Sequence, residues 1–371
     1  MTAPMWIDVA ALADLFDALH ARGYTVMGPM VRDDAVVIGE LDSAADLPYG
    51  WDADTEAGHY RLRARTDRAA FAHSAGPQSW KSVLHPARAR LWAADRTADG
   101  GMTAAEEPEP PRYALLGVRP CDLAAIGVLD RVLTGGRHTD PVYAGRRDGN
   151  LVIAVDCTEP GAVCFCTSMG TGPGAVSGFD LAMTERVDDD RHGFVVRAGS
   201  EAGEDVLSAL PGVPASAELV AGAAEAVAGA ASRMGRAMPA GDLPALLAEA
   251  RESPHWDEVA ARCLTCANCT MVCPTCFCTT TEDVTDLTGD HAERWRRWDS
   301  CFDLDFSYLH GGSVRTSGQA RYRQWITHKL GTWTEQFGTS GCVGCGRCIA
   351  WCPAAIDITR EMAALAEGPD R

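Results

Sequence analysis

Basic charge is scarce in this chain. Of 371 residues, 33 are Lys or Arg against 51 Asp or Glu, giving a net charge of −18 at pH 7. A surface that grips phosphate backbone needs clustered Lys and Arg, so nucleic acid is excluded as a partner. Long apolar runs are missing too: nothing approaches the roughly 18 residues a membrane span requires. The opening MTAPMWIDVAALADLF lacks the basic start, apolar run and small-residue cleavage site of a secretory signal, so the cytoplasm is the expected location. Neither G-x-G-x-x-G nor a Walker A loop occurs, which leaves no sign of dinucleotide binding by this chain. The histidines show no H-x3-H or H-E-x-x-H spacing, which argues against a nickel or catalytic zinc site.

Cysteine is abundant, with fifteen residues. In a cytoplasmic chain that number points to metal ligands or catalytic thiols rather than disulfides. Six fall within CLTCANCTMVCPTCFC at 263–278, and a related CVGCGRCIAWCP begins at Cys342. Cys263, Cys266, Cys269 and Cys273-Pro274 form C-x2-C-x2-C-x3-C-P, as do Cys342, Cys345, Cys348 and Cys352-Pro353. This is the bacterial ferredoxin run, in which three thiolates wrap one cubane and the fourth crosses to the other. One [4Fe–4S] cluster is then expected on Cys263, Cys266, Cys269 and Cys352, the other on Cys342, Cys345, Cys348 and Cys273. Paired C-x2-C also suits tetrahedral zinc, but two complete four-cysteine runs ending in C-P are far more specific.

The length predicts two domains. Residues 1–235 read as an α+β or α/β domain. A helix carries Leu12, Leu15, Phe16 and Leu19 on one stripe, and YTVMGPMVRDDAVVIGEL reads as strand, turn at Asp33-Asp34, strand. Residues 96–112 read as a surface loop. YALLGVRPCDLAAIGVLDRVL and NLVIAVDCTEPG each begin with a strand and a tight turn, and a hairpin is expected around 188–190. After an Ala-rich helix the composition shifts, and LPALLAEARESPHWDEVAARC reads as a helix leading into the first cysteines. Residues 236–371 are expected to form a mainly helical two-[4Fe–4S] ferredoxin-like domain. Its long insertion, with DHAERWRRWDSCFDLDFSYLHG and QARYRQWITHKLGTW, reads as helical, either packed over the clusters or serving as a docking face rich in Trp and Arg.

Seven cysteines remain. Cys121, Cys157, Cys164 and Cys166 belong to turns that would meet at neighbouring C-terminal strand ends, the crevice where α/β sheets bind ligands. Four thiols there point to a third iron–sulfur cluster; buried, inert cysteine is the alternative. Cys276, Cys278 and Cys301 either lie against the neighbouring cluster or supply ligands to that third site. Asp122 and Asp156 adjoin cysteines as ligands or proton carriers, or more simply cap the next helix.

Five segments carry a family resemblance: GVRPCDLAAI, DCTEPGAVCFCTSMGTGP, CANCTMVCPTCFCTTTEDVTD, WDSC and CGRCIAWCPAAIDIT. Together they resemble the iron–sulfur β subunit of cytosolic NAD(P)-linked [NiFe] hydrogenases, the sulfhydrogenases. They are similar as well to the related iron–sulfur subunit of anaerobic sulfite reductase. The likeness runs from about Trp80 to Ile358. It implies an electron-transfer subunit that relays electrons between an FAD- and NAD(P)-binding subunit and a [NiFe] hydrogenase, or in the alternative a siroheme sulfite reductase. On that reading the chain has no catalytic residues of its own. A reading of a different class makes it a cysteine-based redox enzyme for disulfides or sulfur compounds, prompted by the pairs Cys164/Cys166 and Cys276/Cys278. Thiol–disulfide chemistry favours C-x-x-C over this C-x-C spacing.

Overall fold

The computed structural model describes residues 3–105, 109–188 and 190–368. Four parallel strands, Thr25–Arg32, Tyr113–Val118, Leu151–Val155 and Leu181–Asp188, form the centre of an eight-stranded sheet. Antiparallel strands extend both edges: Ala35–Glu40 on one side, and Arg191–Ala198, Met5–Asp8 and Gly212–Pro214 on the other. All five residues of Leu151–Val155 are buried, as a parallel strand covered on both faces must be. Side chains divide by the two-residue period of a strand. Leu116, Ile153 and Val155 pack with Leu12, Leu15, Phe16 and Leu19 of helix Leu12–Ala21. Leu115, Val152 and Ala154 face the other core, with Leu123, Ile126 and Leu129 of helix Pro120–Leu133. The expected turn at Asp33 and Asp34 is formed with both residues left-handed, at φ 51° and 57°, the conformation a two-residue hairpin demands.

A second sheet is ordered Thr279–Thr285, His291–Trp298, Arg88–Arg96, Met102–Ala104. It corrects the reading of the insertion as helical. HAERWRRW is a strand, because strand Arg88–Arg96, about two hundred residues earlier, pairs along it and tertiary pairing outweighs local spacing. Short strands Tyr308–Leu309 and Gly312–Ser313 follow. Only the later half of the insertion is helical, as Gly318–Thr327, a π-helical turn His328–Thr332, and Trp333–Phe337. The second sheet draws strands from both sides of the division expected at 235/236. It also places Met102–Ala104 within the segment 96–112 read as loop, of which 106–108 lie outside the described residues. The hairpin Leu181–Asp188 with Arg191–Ala198 is formed as expected, residue 189 lying outside the described residues. The helix leading to Cys263 is broken near Pro254 into Leu243–Glu249 and His255–Arg262.

A third core unites the cysteine-rich half with a loop of the first. Val163 and Phe165 are buried there among Trp256, Phe302, Tyr322, Trp325 and Ile349.

Candidate metal centres

The two cysteine runs fold alike. Thr265 and Ala267 in the first, and Gly344 and Gly346 in the second, are all left-handed, at φ 52°, 65°, 68° and 74°. Each pair lies two and four residues after its run's first cysteine, and each leads into a short helix, Asn268–Met271 or Arg347–Ala350. These reversals curl the backbone around the three closely spaced cysteines of each run. Gly344 is obligatory on a second count, since a Cβ there would lie 2.6 Å from the Cys166 backbone. Amide groups turn toward sulfur: Thr265 N donates to Cys263 Sγ and Ile356 N to Cys352 Sγ, both at 3.4 Å.

Cys263, Cys266, Cys269 and Cys352 line one cavity of about 460 Å³, walled by Tyr322, Trp325 and Phe302. Cys348 borders it as well. Cys342, Cys345, Cys348 and Cys273 form a second group whose charges act on one another. Burial pushes the Cys342 thiol up to about 12. Cys273 is held well below its ordinary value instead, by a hydrogen bond from Cys276 and by the Lys329 charge. Thiols raised by burial must lose protons to bind metal, and the metal's own charge drives that loss.

Cys121, Cys157, Cys164 and Cys166 line a third cavity, of about 420 Å³. Strands Tyr113–Val118 and Leu151–Val155 are neighbours, so the turns that follow them bring Cys121 and Cys157 together at the C-terminal strand ends. Cys345 of the second ferredoxin run also lines this cavity, a contact that local spacing did not signal. Phe165 N donates to Gly344 O at 2.9 Å and ties the two loops. Neither aspartate caps a helix here. Asp122 makes a buried two-point ion pair with Arg347 at 2.8 and 3.0 Å, and Asp156 accepts from Ala175 N and Thr184 Oγ1.

Cys276, Cys278 and Cys301 line a fourth cavity of about 320 Å³ with Asp299. They do not share a cavity with Cys121, Cys157, Cys164 and Cys166, so the structure brings the two groups to separate places. The intervening hairpin returns Cys301 to Cys276 and Cys278.

Among the described residues, no three His, Cys, Asp or Glu side chains close on a point that one metal ion could occupy. Most of the cysteines instead line cavities between these elements. Buried donors without acceptors gather at the same cavities: Tyr322 Oη and Trp325 Nε1 at the first, Ser74 Oγ and an Arg119 guanidinium nitrogen at the third. Buried polar groups ordinarily find partners, and cluster sulfides are acceptors. Cations gather too. Lys81, Lys329 and Arg119 are at most 8% exposed, and among the described residues none has a carboxylate partner. Lys329 Nζ donates to Cys273 Sγ at 3.3 Å and to Gly341 O at 3.0 Å. Burial acts to lower both lysines, yet Cys273 and Cys276 hold Lys329 well above its ordinary value while Lys81 stays below. Buried positive charge of this kind needs negative charge beside it. The donor set, the orphaned donors and the cations all fit iron–sulfur clusters.

Residues 262–356 match the family model of a 4Fe-4S dicluster domain. Over 260 residues the chain is 32% identical to sulfhydrogenase 2 subunit beta of Pyrococcus furiosus, covering 69% of this chain and 75% of the relative. The chain belongs to the sulfhydrogenase β-subunit family. As a member it is an iron–sulfur electron-transfer subunit, and no helix among its described residues is long and apolar enough to cross a membrane. No solved structure matches it.

Proposed function

We propose that this chain relays electrons within a hydrogenase complex, between a flavin subunit that exchanges electrons with NAD(P)H and a [NiFe] catalytic subunit. One [4Fe–4S] cluster is held by Cys263, Cys266, Cys269 and Cys352. A second is held by Cys342, Cys345, Cys348 and Cys273, and a third by Cys121, Cys157, Cys164 and Cys166. Such clusters supply one-electron storage and transfer at potentials set by their surroundings. The chain's own residues do the rest: the thiols fix the clusters in place, Lys329 and Arg119 offset their negative charge, and the aromatic walls keep water away.

The observation that best supports a relay is the sharing of cysteines between cavities. Cys348 borders the first cavity and Cys345 the third, and both belong to the second cluster's ligand set. Three sites so joined make a continuous path from the ferredoxin loops into the α/β sheet. The name of the relative favours hydrogenase over sulfite reductase as the catalytic partner.

Iron and acid-labile sulfide content of the anaerobically reconstituted chain, with EPR of the reduced protein, tests the cluster count. About twelve irons, four per cubane, are expected from these three sites, and a content near eight in which Cys157→Ser changes nothing overturns the third. Reduction by NAD(P)H only when the flavin subunit is added tests the relay, and failure to reduce with that subunit present overturns it.

A further inference from the structure

The cavity of Cys276, Cys278 and Cys301 has no part in the relay described above. Residues 276–278 lead directly into strand Thr279–Thr285. Cys276 and Cys278 both line the cavity, and Cys301 enters it from beyond the hairpin. Trp325 and Trp333 line the cavity at 4% and 1% exposure, and the indole N–H of each is buried without an acceptor. Trp325 also walls the first cavity, so the Trp333 N–H is the orphaned donor particular to this one, and cluster sulfide would be an acceptor for it. Lys81 adds positive charge: its Nζ donates to Cys276 O at 3.0 Å and sits 3.9 Å from the Trp298 ring centre. The Cys-Phe-Cys pattern also repeats that of Cys164 and Cys166, both of which line the third cavity.

We propose that Cys276, Cys278 and Cys301 hold a further [4Fe–4S] cluster, with the Asp299 carboxylate as the oxygen donor at its fourth corner. The proposal rests on the reading that the other cysteines hold clusters. Lys329 lines this cavity and its Nζ donates to Cys273 Sγ at 3.3 Å, so the site adjoins the second cluster's ligand set. That set then borders three others, and the path branches there.

The test uses the full chain, reconstituted anaerobically with iron and sulfide, as wild type, Cys278→Ser and Cys301→Ser. Each variant is expected to lose about four irons and keep the signals of the two ferredoxin-type clusters. Unchanged iron in both variants, with those signals present, overturns the proposal alone. Absence of those signals in the wild type overturns the underlying reading with it. Should a variant lose every cluster, alkylation of the wild type decides. Protection of Cys276, Cys278 and Cys301 that disappears when iron is chelated supports the site; labelling of the iron-loaded chain as fast as the metal-free chain overturns it.

Discussion

The ferredoxin runs and the Cys-Phe-Cys pairs use the same residue in opposite ways. Each run gathers three cysteines by local curling, with left-handed residues at fixed offsets and one crossing thiol from the other run. The pairs at Cys164 and Cys276 gather nothing by themselves. Their companions arrive from elsewhere: Cys121 and Cys157 from neighbouring strand ends, Cys301 from beyond a hairpin. A run is a property of the local chain, and a pair becomes a site only once the sheets have formed. The first kind should therefore outlast damage to the sheets, and the second should not.

The largest expected effect tests how the runs are joined. Cys348 belongs to the proposed second ligand set and borders the first cavity. Cys348→Ser should remove one ferredoxin-type EPR signal and abolish electron transfer through the chain, while circular dichroism shows the eight-stranded sheet intact. Undiminished transfer in that variant would refute the shared path.

Next in size is the contact holding the two kinds of site together. Arg347, in the second run, is 3% exposed and paired with Asp122 of the α/β half. Asp122→Ala leaves that guanidinium buried without its partner, a change that costs about 3–5 kcal/mol. Denaturant titration should show the loss. The cluster proposed for the third cavity should be released at lower denaturant than the one proposed for Cys263, Cys266, Cys269 and Cys352. Equal loss of both would mean that the pairs do not depend on the sheets more than the runs do.

A smaller effect is expected at Lys329, on the π-helical turn. Lys329→Gln keeps hydrogen-bonding capacity and removes the charge that faces Cys273 Sγ. Positive charge beside a cluster favours its reduced, more negative state, so the variant should lower the second cluster's potential. Such outer partners are worth about 10–100-fold in metal affinity, so iron should also leave that site more readily under a chelator. A redox titration in which the two ferredoxin-type signals keep their separation would remove Lys329 from any tuning role.

This difference between local and assembled sites also governs what could be read from sequence. The ferredoxin runs were legible because spacing alone carries them, and helix Leu12–Ala21 because its apolar stripe has one period. The meeting of Cys121 with Cys157 was legible too, since strand–turn units with cysteine at the strand end place them predictably. HAERWRRW was not, because its Trp and Arg residues suit a helix as well as a strand and only pairing with Arg88–Arg96 decides. With that strand misread, the return of Cys301 to Cys276 and Cys278 was invisible. Asp122 followed Pro120 at a helix start and looked like a cap; its partner Arg347 lies in the other half of the chain, beyond the reach of local reading.

The smallest effect compares the two runs with each other. Gly344 and Thr265 occupy equivalent positions with nearly the same left-handed backbone. For a residue with a side chain this conformation costs about 1–2 kcal/mol, while glycine gives back about 0.5–1 kcal/mol in unfolded-state entropy. Thr265→Gly should therefore stabilise the chain by about 0.5–1 kcal/mol, measured by chemical denaturation of the reconstituted protein. The converse change is not symmetric. A Cβ at Gly344 meets the Cys166 backbone at 2.6 Å, so Gly344→Ala bears the conformational cost and also pries the Cys164 loop from the second run. If both substitutions shifted stability by similar small amounts, the contact between loop and run would be too soft to hold Cys345 at the third cavity. A gain at Thr265 with a severalfold larger loss at Gly344 would place that junction among the rigid parts of the molecule.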